Sequence, residues 1–245
     1  MNELALFAGA GGGILGGILL GWQTICAVEN DIYAARVLAE RQNDGTLSPF
    51  PIWDNIKTFD GRPWRGLVDV VSAGFPCQGI SNAGRRRGLS DRRSGLWHHV
   101  PRVVREVEPG IVWLENSTGL TVRGLDVILR DLAALGYNAE WGMFSAECAG
   151  APHERERLFV LAYSNRVDGQ AWVGFRAQLR QGSLLPQKDS SRPRANGEWM
   201  EAVSRHAGSN DGMAYGVDRT RAIGNGQVPA VVRLAWNILT ERIGE

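Results

Sequence analysis

The chain reads as an α/β protein with a largely parallel sheet and flanking helices. Short apolar runs alternate with helical patterns along most of its length, and that alternation is what a parallel sheet with crossover helices requires. The runs also end in glycine or acidic residues, as strands do when their carboxyl ends face a ligand crevice. Only residues 164–215 break the rhythm; they are rich in Gly, Ser, Arg and Gln, and predict a small irregular segment.

The elements follow in order. Leu4 to Phe7 is a short buried strand, followed by glycines and a helix from about Ile14 to Leu20. Thr24 to Val28 is a second strand, ending at Glu29. Asp31 is placed to cap a helix running to Arg41, with Ile32, Ala35, Val37 and Leu38 as its apolar positions. Leu67 to Ala73 is a strand stopped by Gly74 and Pro76, and Leu96 to Glu106 is a helix. Ile111 to Leu114 is a strand ending at Glu115 and Asn116; Leu125 to Leu135 is a helix closed by Gly136. Arg157 to Tyr163 is a strand, and the pattern returns at Val217 to finish in a helix from Pro229 to Arg242. Residues 1–163 and 216–245 then form one domain, with 164–215 inserted into it.

Composition narrows the class. With 245 residues the chain buries a full core, and a net charge of +1 provides no global field toward nucleic acid, so any such contact comes from local basic patches. The first 21 residues are apolar but hold seven glycines and no basic start, which suits neither a membrane helix nor a signal peptide and predicts a cytoplasmic protein. Three cysteines without a close pair or a CxxC spacing predict neither a disulfide framework nor a metal site. Cys26, within an apolar run, reads as a core thiol.

Two groups of residues carry chemistry. Gly11, Gly13 and Gly16 match GxGxxG, and Glu29 follows the next strand; glycines let a backbone approach a ligand, and such a carboxylate accepts bonds from ribose hydroxyls. The pattern suits a dinucleotide as well as another adenosine cofactor. The second group centres on Cys77 in the run GFPCQ over 74–78, a turn after a strand. A thiol there faces the crevice, and the arginines of GRRRGLSDRR over 84–93 would lower its pKa, although runs of charge are more often solvated loops. Glu115 is the natural acid partner, since a carboxyl in a dry strand-end crevice holds its proton; the alternative is a cap or a hydroxyl acceptor. Arg155 and Arg157 begin a strand on one face, with Glu156 opposite. They suit a phosphate or carbonyl oxygen, or else a surface ion-pair ladder.

In this order the motifs resemble those of the DNA cytosine-C5 methyltransferases. Phe7, Ala8, Gly9, Ala10, Gly11 and Gly12 look like the family's cofactor loop, Glu29 and Asn30 its acidic second motif, and Asp54 and Asn55 its third. Residues 74–78 look like the nucleophile motif, Glu115 and Asn116 the Glu-Asn motif, Arg155 to Phe159 the arginine motif, and GNGQV over 224–228 the closing motif. The resemblance implies a Rossmann-like S-adenosylmethionine-dependent methyltransferase fold, with residues 164–215 as a short target-recognition region. It further implies methylation of a flipped cytosine in a specific sequence of double-stranded DNA, as in restriction-modification, by a cytoplasmic monomer of prokaryotic or viral origin. On this reading Cys77 attacks C6, Glu115 holds or protonates N3, Arg157 holds O2 and Arg155 orients the site. S-adenosyl-L-methionine is held by Phe7, Ala8, Gly9, Ala10, Gly11, Gly12, Glu29, Asn30, Asp54 and Asn55 together with Gly74, Pro76, Asn225 and Gly226. Gln78, Ser81, Arg85, Arg86, Arg87, Arg92 and Arg93 face DNA, in a loop that closes over it.

The chain departs from the family pattern in places. Gly79 and Ile80 stand where Pro-Phe is commoner, Ser117 where valine is usual, His153 and Glu154 where Gln-Arg is common, and Gly226 and Gln227 where Ala-Val or Ser-Val is usual. These leave the nucleophile, acid and arginines intact. Competing readings are a tRNA cytosine methyltransferase of the same fold, a catalytically silent relative, and an NAD-dependent oxidoreductase; the last leaves Cys77, Glu115 and the arginines without a role.

Overall fold

The computed structural model describes residues 1–76, 94–151, 155–165 and 226–243. Its elements are β1 (Asn2–Leu6), α1 (Gly12–Leu19), β2 (Gln23–Val28), α2 (Ile32–Asn43), β3 (Ile52–Trp53), β4 (Val70–Ala73), α3 (His99–Val107), β5 (Ile111–Ser117), α4 (Leu125–Ala134), β6 (Tyr137–Ser145), β7 (Glu156–Ser164) and α5 (Pro229–Arg242). The strands form one sheet in the order β3-β2-β1-β4-β5-β7-β6. From β3 to β5 every pairing is parallel; β7 runs antiparallel to both β5 and β6. The largely parallel sheet expected from sequence is therefore present, closed at one side by an antiparallel pair.

The central strands are mostly apolar because both faces are covered. Leu4 and Leu6 of β1 point into one core, with Val100, Val103 and Val107 of α3 and Ile128 and Leu132 of α4. Ala5 points the other way, toward Ile14 of α1 and Leu38 of α2. On that second face α5 lays Val232, Ala235 and Trp236 against Trp22, Trp113 and Phe159. The Trp113 and Trp236 rings meet edge to face at 5.4 Å, the geometry aromatic pairs prefer. Cys26 is 2% exposed and burial pushes its thiol up to about 12, consistent with a core role.

Several boundaries differ from the sequence reading for identifiable reasons. Helix α1 starts at Gly12, two residues early, because Gly11 at φ 89° turns the chain directly into it. The helix expected over 96–106 is regular only from His99, after a 3₁₀ turn over Ser94–His98. Pro101 lacks the N–H that a longer helix would need, and a first turn is the one place it fits. Strand β4 begins at Val70 rather than Leu67, which follows a left-handed Gly66 and is exposed. Asp31 caps α2 as expected, accepting a bond from the Ala34 N–H at 3.0 Å. Strands β3 and β6 were not anticipated. β6 carries Asn138, Glu140 and Gly142, poor strand formers, and owes its conformation to pairing with β7 along its whole length. The return of pattern at Val217 lies outside the described residues.

Helix α1 packs on α5 through glycine: a Cβ at Gly16 would lie 2.6–2.8 Å from the three branch carbons of Val232. Gly16→Ala is therefore expected to destabilise the fold by about 1–3 kcal/mol through overpacking. Combining it with Val232→Ala should cost less than the sum of the two single changes. Urea denaturation of the four proteins measures this, and strict additivity would show that the contact does not limit the approach of the helices.

Candidate active site

Strand β1 has β2 on one side and β4 on the other, so the order reverses between β1 and β4 and the loops leaving these strands part there. That reversal is where doubly wound sheets open a crevice. A cleft of about 900 Å³ opens at this point, lined by the ends of β1, β2, β4 and β5 together with Gly226 and Gln227.

The first wall is the turn after β1. Phe7, Ala8, Gly9 and Ala10 line the cleft, with Phe7 held at φ 54° and Gly9 at φ 56°. Glu29 fixes this turn: its Oε2 accepts from the Gly9 N–H at 2.6 Å and its Oε1 from the Asp31 N–H at 2.7 Å. One carboxylate thus ties the loop after β1 to the start of α2 while lining the cleft. Asn30 lines the cleft as well and donates to the Asp54 carbonyl at 2.9 Å.

Not every residue of these motifs lines the cleft. Gly11 and Gly12 do not line the cleft: a Cβ at Gly11 would meet Leu38, and one at Gly12 would overlap the Gln227 carbonyl. Gly13, which follows them, does line the cleft. Asp54 is also absent from the lining; its backbone anchors Asn30, while Asn55, Ile56 and Lys57 face the cleft.

The opposite wall is built on β4 and β5. Gly74, Phe75 and Pro76 line the cleft, with Phe75 buried. Asn116 donates from Nδ2 to the Phe75 carbonyl at 3.1 Å, so the strand that carries Glu115 also holds the turn leading to Cys77. The Phe75 ring packs on Trp97 at 5.2 Å, and Trp97 donates to Asp131 at 2.8 Å. Both flanks of the 77–93 stretch are thereby anchored on one core. Cys77, Gln78, Ser81, Arg85, Arg86, Arg87, Arg92, Arg93 and Asn225 lie outside the described residues.

Glu115 lies at the end of β5, 7% exposed, and its Oε1 meets Arg157 Nε at 3.0 Å. Burial pushes its carboxyl up to about 7, against the opposing pull of Arg157 and Arg155. Desolvation outweighs two neighbouring cations because little water remains to solvate the anion. Antiparallel pairing explains how the arginines arrive: Arg157 pairs with Ser117 and Phe159 with Glu115, a diagonal within reach of a long side chain. Arg155 is on the same side, part-buried, with Glu156 exposed between them as alternation requires. Arg155 donates from Nη2 to the Gly226 carbonyl at 2.6 Å, which binds the closing segment to the site, and burial lowers its pKa.

Beyond the named motifs, Ser72, Ser117 and Gln227 also line the cleft. Ser117 Oγ and Gln227 Oε1 are both buried without a hydrogen-bond partner. Both stand at departures from the motif pattern, and an amide where that pattern has valine was the visible signal for Gln227. Among the described residues no group of three His, Cys, Asp or Glu side chains is placed to hold a metal ion, and no helix is long and apolar enough to cross a membrane.

Comparison with known proteins agrees with this geometry. The type II methyltransferase M.Eco47II of Escherichia coli is 33% identical over 210 residues, covering 80% of this chain and 49% of that protein. M.CviJI of Paramecium bursaria Chlorella virus IL3A, also a type II methyltransferase, is 35% identical over 163 residues, covering 66% of this chain and 42% of its own. The chain thus spans under half the length of these two relatives. The structure of the S. pombe Dnmt2 methyltransferase aligns over 100% of both chains with a TM-score of 0.64 at 16% identity, a likeness of fold. The family model described as C-5 cytosine-specific DNA methylase matches residues 1–225, and the chain belongs to that family.

Proposed function

We propose that the chain transfers a methyl group from S-adenosyl-L-methionine to C5 of cytosine in duplex DNA, through a covalent bond between Cys77 and C6 of a flipped base. The observation that carries this reading is Glu115: a buried carboxyl with a pKa near neutrality, beside two arginines, in the same cleft as the glycine turn and Glu29. Residues 1–163 and 216–245 would form the catalytic domain and 164–215 the target-recognition region.

The cleft fits the cofactor. Glu29 offers a carboxylate to ribose hydroxyls, and Phe7 and Ile56 offer apolar surface. When bound, the sulfonium supplies an electrophilic methyl group.

The protein's own residues do the rest. Cytosine C5 is a poor nucleophile until a thiolate adds at C6. Cys77 forms that bond, and the displaced electron pair moves toward C5 and N3. Glu115, held partly protonated near neutral pH by its burial, donates at N3 so that negative charge does not accumulate on the ring. Arg157, already bonded to Glu115, holds the cytosine O2, and Arg155 keeps the Gly226 backbone against the site. Carbon C5 takes the methyl group, loses its proton to solvent, and Cys77 departs as the thiolate. Gln78, Ser81 and the arginines between 85 and 93 would meet DNA phosphates, contacts that weaken with salt.

Methyl transfer from labelled cofactor to mixed duplex DNA, with base analysis of the product, tests the reading; label in 5-methylcytosine is expected, and label found only in RNA would overturn it. Cys77→Ser should abolish turnover while leaving cofactor binding unchanged, and full methylation by that variant would exclude the covalent route. Glu115→Gln should lower kcat/KM by about 10²–10⁴-fold with cofactor affinity retained.

Stability offers an independent check on Glu115. A carboxyl raised from 4.5 unfolded to about 7 folded favours the folded state fully below pH 4.5, and that contribution is lost as pH rises through 7. The loss is about 3 kcal/mol. Wild type should therefore lose more stability than Glu115→Gln between pH 5 and pH 8 in urea titrations, and parallel pH dependences would contradict a raised pKa.

A further inference from the structure

Gln227 sits in a place that glycines make for it. A Cβ at Gly13 would stand 3.0 Å from its Oε1 and 3.2 Å from its Nε2, and a Cβ at Gly74 would stand 3.0 Å from its Nε2. The amide is thus wedged between the end of the turn after β1 and the end of β4, across the point where the strand order reverses. The residue lines the cleft, and its Oε1 is closed off from solvent with no hydrogen-bond partner. Its backbone is fixed as well, since Arg155 holds the Gly226 carbonyl one residue before it. A buried acceptor left unpaired is costly, and the cost vanishes when a bound ligand brings a donor.

The order of strand ends limits which donor that is. Glu29 follows β2, with Ile32, Asn55 and Ile56 beside it, and this is the end of the cleft suited to an adenosine. Glu115 follows β5 at the other end. Gln227 lies between them, beyond the ribose carboxylate. S-adenosyl-L-methionine carries two kinds of amine donor: the adenine amine, at the adenosine end, and the α-ammonium of its amino-acid tail. Of these two, the second is the one carried past the ribose.

We propose that Gln227 positions the amino-acid tail of the cofactor, accepting a hydrogen bond from its α-ammonium at Oε1. This rests on the cofactor reading above and adds a residue at a position where the family pattern has no amide.

Calorimetric binding of two ligands separates the tail from the rest of the molecule. S-adenosylhomocysteine has the charged tail; 5′-methylthioadenosine has the same nucleoside and thioether without it. Gln227→Leu is expected to weaken S-adenosylhomocysteine by about tenfold to a hundredfold, the usual range for a bond to a charged group, with 5′-methylthioadenosine unchanged. Gln227→Glu, which keeps an acceptor at the same reach, should hold S-adenosylhomocysteine within about threefold of wild type. Equal losses for both ligands would overturn the proposal, leaving the amide as a wedge between two loops. Unchanged S-adenosylhomocysteine binding with reduced methyl transfer would overturn it as well, moving the amide to the reacting methyl. Wild-type protein that binds neither ligand would overturn the cofactor reading and this proposal with it.

Discussion

The site depends on one strand running backwards. In a parallel sheet every strand delivers its carboxyl end to the crevice and hides its amino end on the far side. β7 is antiparallel to β5, so its beginning arrives where the other strands finish. That reversal carries Arg155 and Arg157 to Glu115, and through Arg155 it secures Gly226 and the segment leading into α5. A parallel β7 would leave Glu115 buried without a cation, and an uncompensated buried charge is among the costlier faults a fold can contain. The antiparallel edge is thus the means by which the chain places cations beside a carboxyl that is otherwise walled in by apolar strands.

Three of the acidic and amide residues of the cleft share a second trait: each braces a piece of backbone as well as facing the cavity. Glu29 holds Gly9 and Asp31, Asn30 holds Asp54, and Asn116 holds Phe75. Loop ends at such a crevice have few neighbours of their own, and side chains from adjacent strand ends replace the missing ladder bonds. Positions that meet a ligand are thereby set before it arrives, which lowers the ordering cost of binding. The buried Glu3 plays the same bracing part inside the sheet, accepting from Thr24 and Ser72, each at 2.6 Å.

Most of the central sheet was legible because its strands are apolar on both faces and their ends are polar. The convergence of Phe7, Glu29, Gly74 and Glu115 on one cleft followed from topology alone. β6 was not legible, since pairing with β7 rather than its own side chains makes it a strand. The close packing around Gly11 and Gly12 was not legible either: a motif assigns residues to a loop, and the turn of the backbone decides what each of them meets. The raised carboxyl of Glu115 could be anticipated from a dry strand end, whereas the unpaired amide of Gln227 needed the glycine cradle around it to be seen.

Phe7 shows a tension between folding and binding. It is the single non-glycine residue in the left-handed region of the described cleft lining, and that conformation costs a bulky side chain about 1–2 kcal/mol relative to glycine. Glycine there would relax the backbone and strip an aromatic ring from the wall of the cleft. Selection for thermal tolerance and selection for ligand affinity therefore pull this codon in opposite directions, and its identity in any descendant records which pressure prevailed.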